Sequence, residues 1–195
     1  MALATEVMKE CQHLEKMKPN PGAVRKAADA WYAAAGLLSD STKVLKQAYI
    51  TVGMYWEGEA YEGFKLHMTE QVIHVAGENE KTLRDIGNAL IETHDKIVEK
   101  YNEGHKELSQ TVEKAINYHK DLETPNGDTN GRVWHALHAC LELWIAGSIR
   151  RRGEVQEIVN KRTGEITKLG GMVKSVKVPG AVPDGIQTPK NWKQK

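Results

Sequence analysis

Eight histidines and two cysteines are the softest ligands available in this 195-residue chain, and their spacing sets what metal chemistry is open to it. His135 and His138 are three apart in a stretch with helical periodicity, and Cys140 lies two further on. Zinc requires three or four converging ligands, whereas this spacing offers two, because position 140 turns about 160° away from position 138 on a helix. Capping or interface roles suit these histidines better. Cys11 and Cys140 match no metal or redox spacing; they are expected to stay as buried thiols, with pairing left as the alternative. His67 and His74, seven apart beside an apolar stripe, are candidates for a pH-sensitive seam that protonation at about pH 6 would loosen.

Acidic pairs such as Asp85 with Glu92, or Glu107 with Glu113, lie among Lys and Arg as on solvated helix faces. No Ser-His-Asp order, nucleophile elbow, phosphate-cradling glycine loop or paired-carboxylate cleft stands out, so no residue is assigned a catalytic, cofactor or metal role. The net charge is only +1, but from Arg150 to Lys195 there are eleven Lys or Arg against four Asp or Glu, a local +7 that leaves −6 for the rest. Arg150-Arg151-Arg152 with Lys161, Arg162, Lys168, Lys174 and Lys177 invites nucleic acid or anionic lipid as a partner. Without interleaved aromatics for stacking, a solvated helix end and a basic tail is the simpler account.

Helices must position these groups. Val24, Trp31, Leu38, Leu45 and Val52 recur every seven residues, with Ala27, Ala34, Ala35, Ala48 and Tyr49 between them, which predicts a helix from about Pro21 to Thr51. Asn20-Pro21 is a good start for it, an Asx cap followed by a proline that needs no donor. Phe64, Met68, Val72, Val75, Leu83, Ile86, Leu90, Ile97, Tyr101, Leu108, Val112 and Ala115 predict a second helix from Glu59 to roughly His119. Gly77, Gly87 and Gly104 fall inside it, so a kink near 77 or 104 is expected. Leu3, Val7, Cys11 and Leu14 give a short helix over 3–18, and Val133 to Ile149 carry a further helix after a loop at Leu122–Gly131. Beyond Glu154 the pattern is open: more helix, or a hairpin turn at Asn160–Glu165 with β character at Val173, Val176 and Val178. No repeat, no apolar run of about eighteen residues and no basic-then-apolar start of a cleavable leader is present, so export would need another route.

Between the two long helices stands Trp56-Glu57-Gly58. Gly58 permits a sharp reversal and Trp56 lays a large ring over the end of the pair, or into a partner's groove. Together with the Ala-rich Pro21-Gly-Ala-Val-Arg … Ala-Asp-Ala-Trp-Tyr-Ala-Ala-Ala segment and Tyr55-Trp-Glu-Gly-Glu-Ala-Tyr-Glu-Gly-Phe64, this resembles the WXG family, the helical-hairpin proteins of type VII (ESX) secretion. The likeness covers about residues 20 to 118. The family's Tyr-x-x-x-Asp/Glu export signal is not well placed: Tyr101 and Tyr118 lack the acid four positions on, and Tyr55-x-x-x-Glu59 overlaps the turn.

The resemblance implies an all-α fold, an elongated antiparallel hairpin extended to a bundle like that of the longer PE–PPE-like members. The expected division is a short helix over 1–18, the hairpin over 20–121, an additional helix packing on it over 132–160, and a basic, extended or partly β tail over 161–195. Trp56 and Gly58 would shape the turn, and Trp31, Leu38, Leu45, Phe64 and Leu90 the seam. The implied protein is a non-enzymatic assembly factor, self-associating or paired with another hairpin, a secretion ATPase or a chaperone, and secreted by a non-Sec route to the surface or outside. The alternative is a cytoplasmic or virion structural protein held together by the hairpin and its basic end.

Overall fold

The computed structural model describes residues 2–124, 131–174, 186 and 188–195. About 91% of these are helical, so the fold is all-α with one two-stranded sheet. In chain order they form α1 (Ala2–Lys16), α2 (Pro21–Tyr55), β1 (Trp56–Glu57), α3 (Glu59–Leu66), a π-wound stretch (His67–Ile73), α4 (His74–Leu122), α5 (Arg132–Lys174), a 3-10 turn (Pro189–Asn191) and β2 (Lys193–Gln194). None of the helices among the described residues is long and apolar enough to cross a membrane.

Three sequence expectations change. The irregularity in the second long helical run is not at Gly77 or Gly104, which α4 passes through, but at His67–Ile73. There Thr69 Oγ1 bonds the carbonyls of Lys65 at 3.0 Å and Leu66 at 3.2 Å, competing with the backbone ladder just where the winding widens. The glycines instead mark close packing: a Cβ at Gly87 would stand 2.7 Å from the Tyr32 ring, and one at Gly104 2.6 Å from Leu14. Residues 161–174, for which the sequence leaves helix, hairpin turn and extended tail all open, continue α5. The Lys, Arg, Glu and Leu of this stretch are strong helix formers and outweigh Gly164, Gly170 and Gly171. Val176 and Val178, like most of the loop at 122–131, lie outside the described residues.

The chain forms two compact units, and their boundaries cut across the division expected from sequence. One comprises residues 1–21 and 92–163, the other 22–91 and 164–195. α4 and α5 therefore each supply residues to both.

In the second unit, residues of α2 meet those of α3 and α4 in reversed order. Tyr49 lies against Phe64 with ring centroids 6.4 Å apart, Ser39 bonds Glu80, and Tyr32 donates to Asn88 at 2.8 Å. Ala28 and Ala35 are fully covered, and Ile86 and Ala89 of the same unit are buried. Trp31 and Leu38 stand three residues beyond the two alanines and are half-buried, so on α2 the small residues are covered more completely than the large ones. Overpacking at Gly87 costs about 1–3 kcal/mol against a helix-propensity gain of about 1 kcal/mol. Gly87→Ala is therefore expected to lower the urea midpoint, whereas Gly164→Ala, with nothing within 4 Å, raises it.

The first unit is organised around buried charge. Glu10 is 4% exposed and accepts from Ser148 Oγ at 2.9 Å and Arg152 at 3.2 Å, with His13 Nδ1 3.1 Å away. Arg151, equally buried, pairs with Glu107, and Lys100 joins Glu103 at 2.9 Å to Glu154 at 3.0 Å. The arginine triplet is thus not the end of a helix but lies inside α5: Arg151 and Arg152 give their guanidinium donors to Glu107 and Glu10, while Arg150 stays exposed beside Glu154.

Burial pushes the Glu10 carboxyl up, but hydrogen bonds from Ser148 and His13 and the charge of Arg152 together hold it below its ordinary value. A depressed folded value means stability that is present above the unfolded value of about 4.3 and is lost as pH falls through the lower folded one. Glu10→Gln should cost about 1–3 kcal/mol at neutral pH, as expected for a buried charge-assisted network. The gap from the wild type should narrow below about pH 4, as the Glu10 carboxyl protonates. Urea unfolding of both chains across this range measures it.

Candidate functional site

The Trp-x-Gly element is a two-residue strand followed by one backbone reversal. Gly58 has φ 98° and ψ 179°, a region essentially reserved for glycine. Its carbonyl accepts the Glu62 amide at 3.1 Å and so opens α3, whose first turn carries Glu59 and Glu62 where the helix dipole favours acids. A second constraint acts on the same atom: a Cβ at Gly58 would stand 3.2 Å from the Asn191 carbonyl oxygen.

That carbonyl belongs to the end of the chain, which is built onto the turn. β2 pairs antiparallel with β1, Trp56 opposite Gln194 and Glu57 opposite Lys193, so unlike charges face each other across the pair. One residue further, the Lys195 amide donates to the Tyr55 carbonyl at 3.0 Å, and its ammonium to the Gly53 carbonyl at 2.6 Å. α2 has no basic residue in its own last turn, so Lys195 supplies the cation that a helix C-terminus favours. Trp192 sets its ring edge-on to Trp56, with centroids 5.9 Å apart, and tilted against Phe64 at 6.0 Å. Its Nε1 donates to the Ile186 carbonyl at 2.8 Å. Val52, Trp56, Ile186, Pro189 and Trp192 line a groove of about 420 Å³. Trp56 remains 39% exposed at its mouth.

Of the residues singled out from sequence, Trp56, Gly58 and Phe64 come together here. Trp31, Leu38 and Leu90 are half-buried elsewhere in the second unit, while Leu45 is 43% exposed rather than enclosed. His67 is half-buried, but His74 is exposed beside Glu78 at 3.5 Å and so lines no seam. His138 faces Glu142 at 3.3 Å, and Cys11 and Cys140 are free thiols, half-buried rather than buried. Among the described residues no three His, Cys, Asp or Glu side chains converge on a point that could hold a metal ion.

Sequence reasoning missed Trp192, Lys193 and Lys195, which it assigned to a tail. The available signal was Trp192 itself, the single aromatic residue after Trp144. In the first unit two clefts, of about 460 and 320 Å³, share Trp144, whose buried indole N–H has no partner among the described residues.

Gly58→Ala meets both the backbone penalty and the Asn191 carbonyl. It is expected to cost about 1–3 kcal/mol, and to abolish the β1–β2 pairing, read as the loss of cross-strand NOEs between Glu57 and Lys193. No protein-family model, no curated protein and no solved structure matches the chain.

Proposed function

We propose that the chain is a non-enzymatic helical assembly protein, in which residues 21–91 form an antiparallel hairpin reversing at Trp56-Glu57-Gly58. It resembles the WXG proteins in that element, and by that resemblance acts as a substrate or partner of a type VII secretion system. The observation that carries an assembly role is the outer face of α2. Ala30, Ala33, Leu37, Ser41, Val44, Ala48, Thr51 and Tyr55 recur at helical spacing, and all are exposed. None of them is charged, and Leu37 and Val44 are 72% and 69% exposed. One partner helix accounts for one apolar stripe; this helix has a second, and contiguous apolar surface of that kind marks an association site.

Of the charged side chains of α2, Lys26 continues this stripe at its N-terminal end while Arg25, Asp29, Asp40, Lys43 and Lys46 lie off it, so from Ala30 to Tyr55 a second helix can approach without desolvating charge. Tyr55 and Glu59, the one pair with the letters of the export signal, are both exposed on either side of the turn. Residues 1–21 and 92–163 would be a helical body carried with the hairpin.

Leu37→Glu/Val44→Glu is expected to convert the assembly to monomer in light scattering while leaving the far-ultraviolet helix signal unchanged. Trp56→Ala is expected to reduce assembly or export with helix content largely kept. A wild-type chain that stays monomeric at high micromolar concentration, alone and with hairpin proteins encoded beside it, sinks the assembly reading. Normal export of the Trp56 variant counts against the role given to the turn.

A further inference from the structure

The surface around β1 has the parts of a peptide-recognition site, and all of them are engaged by residues of 186–195. A strand edge is offered by Trp56 and Glu57, and β2 takes it. The outward carbonyls of the last turn of α2, at Gly53 and Tyr55, are met by Lys195. An apolar slot between Trp56 and Phe64 takes the Trp192 ring. The bare backbone of Gly63 lets Ile186 lie against α3, its Cγ1 3.5 Å from where a Cβ would be. Strand addition for affinity, an aromatic pocket for specificity and a charged end anchor are how proteins recognise extended peptides in general.

We propose that the surface formed by β1, Phe64 and the end of α2 is a binding site for an extended, tryptophan-bearing peptide with a lysine three residues after the tryptophan, and that Ile186 and residues 188–195 are its resident, exchangeable occupant. Specificity has three sources. The slot walls are aromatic, so an indole gains edge-to-face contacts that an aliphatic side chain lacks. Glu57 opposite Lys193 favours a cation at the position after the tryptophan. The helix terminus favours a second cation two further on, at Lys195.

Exchangeability follows from how little holds the occupant. Lys193, Gln194 and Lys195 are exposed, Pro189 and Lys190 likewise, and the strand pairing is two residues long. The ring, the short strand and the Lys195 contacts can all be reproduced by the same sequence presented by another molecule, the tether giving the resident copy its advantage. This proposal does not depend on secretion or on the outer face of α2, because it is read from binding of a peptide to the full chain.

The test uses the full-length chain and a fluorescent peptide of sequence Ile-Gln-Thr-Pro-Lys-Asn-Trp-Lys-Gln-Lys, followed by anisotropy. Trp192→Ala vacates the slot while keeping every residue of the turn. The peptide is expected to bind that variant saturably and at least tenfold more tightly than the wild type, in which the site is filled. Replacing the peptide's tryptophan by alanine, or adding Trp56→Ala to the chain, should remove the binding. Circular dichroism on each variant separates a vacant site from an unfolded one, and Lys195→Ala in the otherwise native chain provides a second, milder opening that should also raise peptide affinity. Equal binding to wild type and Trp192→Ala, or no binding to either opened variant while both stay helical, overturns the proposal.

Discussion

The carbonyl groups at the end of α2 impose the constraint on which the turn depends. A helix stops with backbone acceptors unsatisfied, and something must meet them. Here the chain does not use a glycine-rich cap or a basic residue of its own last turn; it brings Lys195 back to Gly53 and Tyr55. Once that strand is in place, the Asn191 carbonyl comes close enough that a Cβ at Gly58 would stand 3.2 Å from it, and Trp192 falls between Trp56 and Phe64. The glycine of the Trp-x-Gly element is therefore fixed twice, by its own backbone angles and by what packs against it.

The long helices were legible because apolar residues at seven-residue spacing, a proline-free run and an Asx-Pro start leave few other conformations. Which residues would be most deeply covered was less legible. Trp31 and Leu38 draw the eye, yet Ala28 and Ala35 are covered completely, since where two helices approach closely it is the small side chain that is enclosed. The glycines misled in the same way. Gly87 and Gly104 read as weak points from propensity alone, but each gives way to a specific side chain, Tyr32 in one unit and Leu14 with Arg151 in the other. Propensity acts on one residue at a time, and contacts of this kind join residues far apart in the chain, Gly87 to Tyr32 and Gly104 to Leu14.

The charge network of the first unit escaped for that reason as well. Glu10 and Arg152 are 142 positions apart, and Glu10 and Ser148 138. In sequence, Glu10 is one acid among the polar residues of a short amphipathic helix, and Arg150-Arg151-Arg152 looks like a basic patch for a polyanion. In the fold, Arg151 and Arg152 are committed to Glu107 and Glu10. A guanidinium already bonded to a carboxylate has less left to offer a phosphate, so the local +7 of the C-terminal stretch overstates the positive surface available.

Aromatic placement links the turn to the rest of its unit. The chain has one Phe and five Trp, and the Phe with two of the Trp collect within about 6 Å of one another, with Tyr49 at 6.4 Å on the far side of Phe64. Each such contact is worth about 0.5–1.5 kcal/mol beyond the area it buries, whereas fixing each backbone residue of the C-terminal segment costs about 1–2 kcal/mol. Eight ordered residues cost more than the two ring contacts of Trp192 return, so the burial of that ring and the hydrogen bonds of Lys195 must supply the rest. The backbone angles of Gly58 and the contact of Tyr49 with Phe64 involve no residue of this segment, whereas the carbonyls at the end of α2 need a partner. The proposed exchange therefore requires a strand that meets the same carbonyls and fills the same slot.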